Sequence, residues 1–276
     1  MMKTDLLLAP VGTTYGELRD AAVAAEESGF DGVWTWDHLR DPGGAGLPVP
    51  EVLTTLCGLA EATQRIALGP LVLNTGLRHP GVLANMAATL QQISRGRLLL
   101  GLGAGAHRRM PYAAEQEMVG LEVSRDAVRA QRVAETAEVL RRLWRGDAST
   151  FTGTQFRLER PTGYLRPDPP PPIVVAGFGP RMAEIAGRCG DGFNTQARHP
   201  QLTELVDIAR KAHATAGRDP ARFLVTVFAG LQDSWLSPEG QPRAALARVG
   251  VDRLILLVEP PYDLARIHAA GKILRG

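Results

Sequence analysis

The chain has 276 residues, 45% of them hydrophobic, and a formal net charge of +2. That length fills one large core or two small ones. A near-neutral balance gives no electrostatic footprint for a nucleic acid or a membrane surface, and 5% aromatic residues leave little for base stacking.

Strand and helix signals alternate from end to end. Asp5 to Pro10 is a short apolar strand, and Tyr15 to Ser28 a helix with Leu18, Ala22 and Ala25 on one face. Gly29 stops that helix. Gly32 to Trp36 forms a second strand that ends at Asp37-His38. Glu51 to Thr63 is helical, Ile66 to Asn74 the third strand, Pro80 to Ser94 the next helix, and Arg97 to Leu102 the fourth strand. A longer segment follows. Ser124 to Arg145 carries a helical stripe of Val133, Ala137, Leu140 and Trp144, and Ser149 to Leu158 patterns as a small hairpin around Thr152-Gly153. The arginines of that helix (Arg125, Arg129, Arg132, Arg141, Arg142, Arg145) alternate with Asp126, Glu135 and Glu138, as on a solvated face. The remaining strands are Ile173–Ala176, Gly192–Thr195, Phe223–Ala229 and Arg253–Val258. Helices at Pro180–Cys189, Pro200–Ala216 and Asp263–Leu274 follow three of them. A weaker one at Ser237–Arg248 contains Pro238, Gly240 and Pro242.

Eight strand–helix units, mostly about 30 residues apart, predict a (β/α)8 TIM barrel in a single domain spanning 1–276. The strands are continuous apolar runs, as a parallel sheet covered on both faces requires. An open doubly wound sheet is the alternative. It fits less well because Gly101-Leu-Gly-Ala-Gly-Ala106 lacks the G-x-G-x-x-G spacing and lies mid-chain. Cys57 and Cys189 lie far apart with no C-x-x-C motif and fit as small apolar residues in helices. No histidine–carboxylate spacing suggests a metal. The N-terminal residues lack the apolar region of a signal peptide, and no apolar run approaches spanning length, so a cytoplasmic chain is expected.

Barrel sites lie at the C-terminal ends of strands. Those ends are Pro10 and Gly12, Asp37 and His38, Asn74, Gly103 to His107, Gly177 to Arg181, Asn194 to Gln196, Gly230 to Gln232, and Glu259. An imidazole at His38 can donate or accept a proton at a ligand; the bland alternative is a loop cap. Asp37 either orients His38 or caps a turn. Asn74 puts an amide at the end of an apolar run, and Gly101, Gly103 and Gly105 strip side chains where a planar ligand would approach. Gly177-Phe178-Gly179-Pro180-Arg181 opens a helix with exposed N–H groups suited to a phosphate; the alternative is a tight turn with a solvated arginine. His107-Arg108-Arg109 suits an anionic cofactor tail or a basic surface cluster equally. His79 and His199 fit helix-start caps, and His213 and His268 fit structural positions on helices.

These blocks resemble the bacterial-luciferase-like family of flavin- or deazaflavin-dependent oxidoreductases over nearly the whole chain. The matching stretches are Ala25 to His38, Thr63 to Asn74, Arg78-His79-Pro80, Ile93 to Arg97 with Gly101 to Gly105, and Pro172 to Arg181 with Gly190 to Asn194. The resemblance implies an insertion after strand four. It implies a cis peptide at Leu71-Val72 forming a bulge behind a tricyclic ring, and a ring held against Asn74, Gly103, Ala104 and Gly105. A cofactor phosphate would lie at Gly177 to Arg181, and His38 at the active site. Within the family the chain is most similar to the branch using coenzyme F420, a deazaflavin that exchanges hydride with a small organic substrate. It departs at Ala106, where sugar-phosphate dehydrogenases of that branch carry a glutamate, which weighs against sugar-phosphate oxidation. Two alternatives remain. One is an FMN-dependent monooxygenase using oxygen and a partner flavin reductase, and the other a non-catalytic cofactor-binding barrel. A homodimer is the assembly the resemblance implies.

Overall fold

The computed structural model describes residues 2–41 and 43–275. In chain order the elements are β1 (Lys3–Leu8), α1 (Tyr15–Glu27), β2 (Gly32–Thr35), α2 (Val52–Ala62), β3 (Ala67–Pro70), β4 (Leu73–Asn74), α3 (Pro80–Ile93) and β5 (Leu100–Gly103). Then come α4 (Ala114–Met118), α5 (Asp126–Arg145), the paired β6 (Phe151–Thr152) and β7 (Arg157–Leu158), β8 (Ile173–Ala176) and α6 (Pro180–Cys189). The chain continues through β9 (Gly192–Gln196), α7 (Leu202–Thr215), β10 (Leu224–Gly230), α8 (Gln241–Val249), β11 (Arg253–Val258) and α9 (Leu264–Arg275).

The parallel sheet runs β3-β2-β1-β11-β10-β9-β8-β5-β4. Its two ends, β3 and β4, are halves of the one strand expected over Ile66–Asn74. The chain breaks that strand at Leu71-Val72, whose peptide bond is cis, as the resemblance implied. Leu68 closes the ring onto Arg97 and Leu99 through backbone hydrogen bonds of 3.0 and 2.8 Å. Eight staves therefore make a closed barrel, and residues 104–172 form the insertion after the fourth.

Alternation along each strand sorts the core into two shells. Leu7, Trp34, Leu71 and Ile255 point inward and pack together with Trp36, Val72, Leu99 and Phe228. Leu6, Leu8, Val33 and Leu68 point outward against the apolar stripes of the helices. Beneath the inner shell, Asp5 accepts two hydrogen bonds from Arg253 and one from the Trp34 indole, at 2.7–2.8 Å. Complete burial pushes the Asp5 carboxyl upward, while Arg253 opposes that shift.

The weak helix proves to be α8. Gly240 is its N-cap and Pro242 falls in its first turn, where a missing N–H costs nothing, so the breakers mark its start. The charged face of α5 is solvated only in part: Arg125, Asp126, Glu138 and Arg145 are exposed as expected, and the others are not. Glu135 is buried and accepts from the backbone N–H groups of Thr154, Gln155 and Phe156, anchoring the β6–β7 loop. Arg141 bonds Asp191, Arg142 bonds Asp147, and Arg129 is buried. The insertion folds back over this side of α5, so charges that look exposed in one helix meet partners from elsewhere in the chain.

Candidate active site

A cavity of about 610 Å³ opens at the C-terminal ends of the strands. Its wall includes Asp37, His38, Leu71, Val72, Asn74, Gly103, Ala104, Gly105, Gly177, Phe178 and Gly179. Eleven residues singled out from the sequence thus come from four separate strand ends to one hollow. His107, Pro180 and Arg181 do not line it. His107 lies 3.9 Å from Asp126, and Arg181 turns toward the Ala127 carbonyl.

Asp37 is buried beneath the floor of the loop that follows β2. Arg78 grips it with two nitrogens at 2.7 and 2.8 Å, and the Asn74 N–H donates to it at 2.9 Å. Both oxygens are thus committed to holding the end of β4 and the start of the α3 segment. Arg78 also bonds Glu51, the N-cap of α2. The matching block Arg78-His79-Pro80 is explained by this grip together with the His79 cap, whose Nδ1 accepts from the Gly81 N–H at 3.1 Å.

His38 faces a partner that the sequence did not reveal. Its Nδ1 lies 3.1 Å from each oxygen of Glu115, which also accepts from the Leu39 N–H at 2.9 Å. Glu115 is buried on the short helix α4. A carboxylate only accepts, so the geometry assigns a proton to Nδ1 and leaves Nε2 with no partner among the described residues. Tyr112 stacks on the imidazole at 5.4 Å between ring centroids, and Trp36 meets its edge at 5.9 Å. Ala106 leaves the strand end without a carboxylate, and the insertion brings Glu115 in nine residues later. Glu115 and Gln116 are buried while Met118 and Val119 are exposed, an inward-facing polar pair that the sequence alone did not mark.

Asn74 is fixed at both ends of its amide. Its Oδ1 accepts from the Gly76 N–H at 2.9 Å, and its Nδ2 donates to Gln116 at 3.2 Å. The glycines of β5 also make room for a neighbouring strand. A Cβ at Gly101 would meet the Pro70 carbonyl and lie 2.9 Å from Val72 Cγ1, and one at Gly103 would overlap Val72 Cγ2. These glycines make room for the bulge between β3 and β4, and it is the bulge that presents Leu71 and Val72 to the cavity. Gly105 has φ +70°, and a Cβ there would lie 2.5 Å from Asn74 Oδ1. Arg129 bonds the Ala104 carbonyl at 3.1 Å and the Gly105 carbonyl, tying this turn to α5.

At the opposite wall, Gly179 is the N-cap of α6 with no side chain capping it, and a Cβ there would meet open space. Phe178 reaches Phe228 edge-on at 6.3 Å. The arrangement supplies a flat apolar floor, an open helix N-terminus at one end, and a histidine–carboxylate pair at the other.

A barrel with a bulged third strand and a strand-end cavity of this kind is the architecture of the luciferase-like enzymes. The family model described as luciferase-like monooxygenase matches residues 4–232, and the chain belongs to that family. An F420-dependent glucose-6-phosphate dehydrogenase of Nakamurella multipartita is 37% identical over 206 residues, covering 73% of this chain and 59% of that protein. An F420-dependent hydroxymycolic acid dehydrogenase of Mycobacterium tuberculosis is 36% identical over 204 residues, covering 72% of this chain and 54% of that protein. The chain thus spans little more than half the length of these curated relatives. Among solved structures, an F420-dependent secondary alcohol dehydrogenase with an F420–acetone adduct aligns with a TM-score of 0.82 at 20% identity, over 99% of this chain and 98% of that one. Coenzyme F420 dependent tetrahydromethanopterin reductase from Methanopyrus kandleri aligns at 0.81 and 17%, over the same shares. Both show the same fold.

Proposed function

We propose that this chain is an oxidoreductase that moves a hydride between the deazaflavin coenzyme F420 and a small organic substrate. One observation carries the reading: His38, at the wall of the strand-end cavity, holds its Nδ1 against the Glu115 carboxylate, and its Nε2 has no partner among the described residues. That is the disposition of a proton acceptor positioned by a carboxylate. The relatives named for F420 support this cofactor over FMN.

The residues fit the group. The bulge at Leu71 and Val72 would back the ring, with Asn74, Gly103, Ala104 and Gly105 along one edge. Gly177, Phe178 and Gly179 would bring the open α6 N-terminus to a phosphate, an anion site by its free N–H groups and dipole. Pro180 presets the first turn of that helix, and Arg181 and His107, which do not line the cavity, would have to turn toward it to serve the cofactor's anionic tail. Bound there, the cofactor supplies the hydride acceptor or donor. His38 takes or returns the substrate proton through Nε2. Glu115 fixes the tautomer and balances the charge that the imidazole gains. Asp37 positions the end of β4 from below, through Arg78 and the Asn74 N–H. The same reading includes a single domain, from the regular run of strand–helix units, a homodimer, from the family resemblance, and a cytoplasmic location, as expected from the sequence.

The test is to titrate F420 into wild type, His38→Ala and Glu115→Gln, and to follow cofactor reduction with a panel of alcohols. Loss of a positioned acid–base group is expected to lower turnover by about 10²–10⁴-fold with F420 affinity nearly unchanged. Unchanged turnover in His38→Ala would remove the histidine from the chemistry. A protein that binds FMN in place of F420, and consumes oxygen when the flavin is reduced, would return the monooxygenase reading.

A further inference from the structure

The cavity wall has a charge pattern that selects among substrates. Four charged groups besides His38 line it: the carboxylates Asp37, Glu115 and Asp126, and one cation, Arg129. Each has a partner, but the buried Arg129 Nε has none. Arg78 holds Asp37, His38 and the Leu39 N–H hold Glu115, and Arg129 bonds Asp126 at 2.9 Å. Arg129 also gives its Nη1 to the carbonyls of Ala104 and Gly105. Carboxylates outnumber the guanidinium three to one, and among the described lining residues no lysine or further arginine is present.

A phosphate monoester is bound through charge-assisted hydrogen bonds from free Arg or Lys groups, and carboxylates at the same wall repel it. Among the described lining residues, the donors still open to an anion are the uncapped start of α6, which the proposed cofactor takes, and the single buried Arg129 Nε. The rest of the wall is mostly apolar, including Leu7, Trp36, Leu71, Met182, Phe178 and Phe228, and the amides of its Asn74 and Asn194 are bonded to Gln116 and Thr226. The apolar surface continues outward. Tyr112, stacked on His38, is 40% exposed, and Met110 beside it 49%. Leu39 and Leu47, in the loop after β2, are exposed as well. A lipophilic body attached to the reacting carbon would leave the His38 end of the cavity over this surface and lose water along it.

We propose that the substrate is an uncharged alcohol, or the matching carbonyl compound, with an apolar body, and that phosphorylated sugars are not turned over. This rests on the reading of the cavity as a deazaflavin hydride-transfer site. In the oxidising direction the carbinol C–H bond breaks and its hydrogen leaves with the electron pair to oxidised F420. The O–H proton passes to His38 Nε2, and the C=O bond forms. The alcohol is oxidised and F420 reduced by two electrons.

The test uses the whole chain with cyclohexanol, 2-octanol and glucose 6-phosphate as probes. Two signals are read: tryptophan fluorescence without cofactor, since Trp36 lines the cavity, and F420 reduction. At least one of the alcohols is expected to give a saturable fluorescence change that Trp36→Phe abolishes, and to support F420 reduction. Glucose 6-phosphate is expected to be poorer in kcat/KM by on the order of 100-fold or more. Turnover of glucose 6-phosphate at a rate equal to or above the better alcohol overturns the proposal. So does an absence of any response to both alcohols in a protein that binds F420. Failure of F420 to quench, with the alcohol signal intact, removes the cofactor reading and leaves the apolar-ligand site standing.

Discussion

Gly105→Ala puts the account of the Asn74 wall to a quantitative test. Two costs are legible in the structure. The backbone stays at φ +70°, where a side chain costs roughly 1–2 kcal/mol. The new Cβ would lie 2.5 Å from Asn74 Oδ1 and 2.8 Å from Nδ2, so the amide must leave its place. Leaving forfeits the bonds to Gly76 N–H and Gln116, each contributing about 0.5–1.5 kcal/mol. The single substitution is thus expected to destabilise by about 2–5 kcal/mol and to weaken F420 binding, because the displaced amide enters the cavity. Asn74→Ala alone forfeits the same two bonds without the strain, about 1–3 kcal/mol. The double variant loses those bonds only once, so it should be little worse than Gly105→Ala. Urea denaturation of the four proteins gives the coupling, expected at about 1–3 kcal/mol. Strict additivity of the two single effects would refute the argument that Gly105 exists to leave room for the Asn74 amide.

Three further outcomes are expected. Arg78→Ala strands the buried Asp37 carboxylate and should cost about 3–5 kcal/mol in urea, with Asp37→Asn in the same background costing far less than it does alone. Burial alone would raise the Glu135 carboxyl, but bonds from Thr154, Gln155 and Gln131 outweigh it and hold the group below its ordinary value. Its contribution to stability is therefore full above the unfolded value of about 4.3 and is lost as pH falls through the lower folded value. Melting curves taken across that acid range should show Glu135→Gln with a flatter dependence than wild type; identical slopes would contradict the anchor. Glu115→Ala leaves the Leu39 N–H and the His38 Nδ1–H without their acceptor, and should lower turnover more than Glu115→Gln, which keeps one acceptor oxygen.

Most of the barrel was legible because local and global signals agree. Unbroken apolar strands, helices with one apolar stripe, and glycine or proline at the joints all call for the same parallel, covered sheet. Asp37, His38, Asn74 and the Gly177–Gly179 turn could be picked out because strand ends in a barrel converge at one mouth. Three things were not visible, for one shared reason. Glu115 reaches His38 across 77 residues, Glu135 reaches a hairpin loop 19 to 21 residues onward, and Val72 fills the room left by Gly101 and Gly103. Each is a contact between segments that fold back on each other, and helical or strand periodicity carries no record of it. The glycines of β5 show the point most clearly. Their absence of side chains was evident, but which atoms occupy the space depends on the neighbouring strand.

The central claim is that the strand-end cavity holds a deazaflavin over the Leu71-Val72 bulge. The most direct measurement is a pair of fluorescence titrations of the purified chain, one with oxidised F420 and one with FMN. The account predicts saturable quenching by F420 with a micromolar Kd, FMN binding weaker by about tenfold or more, and weaker F420 binding in Gly105→Ala. Preferential binding of FMN, or no quenching by either, would contradict it.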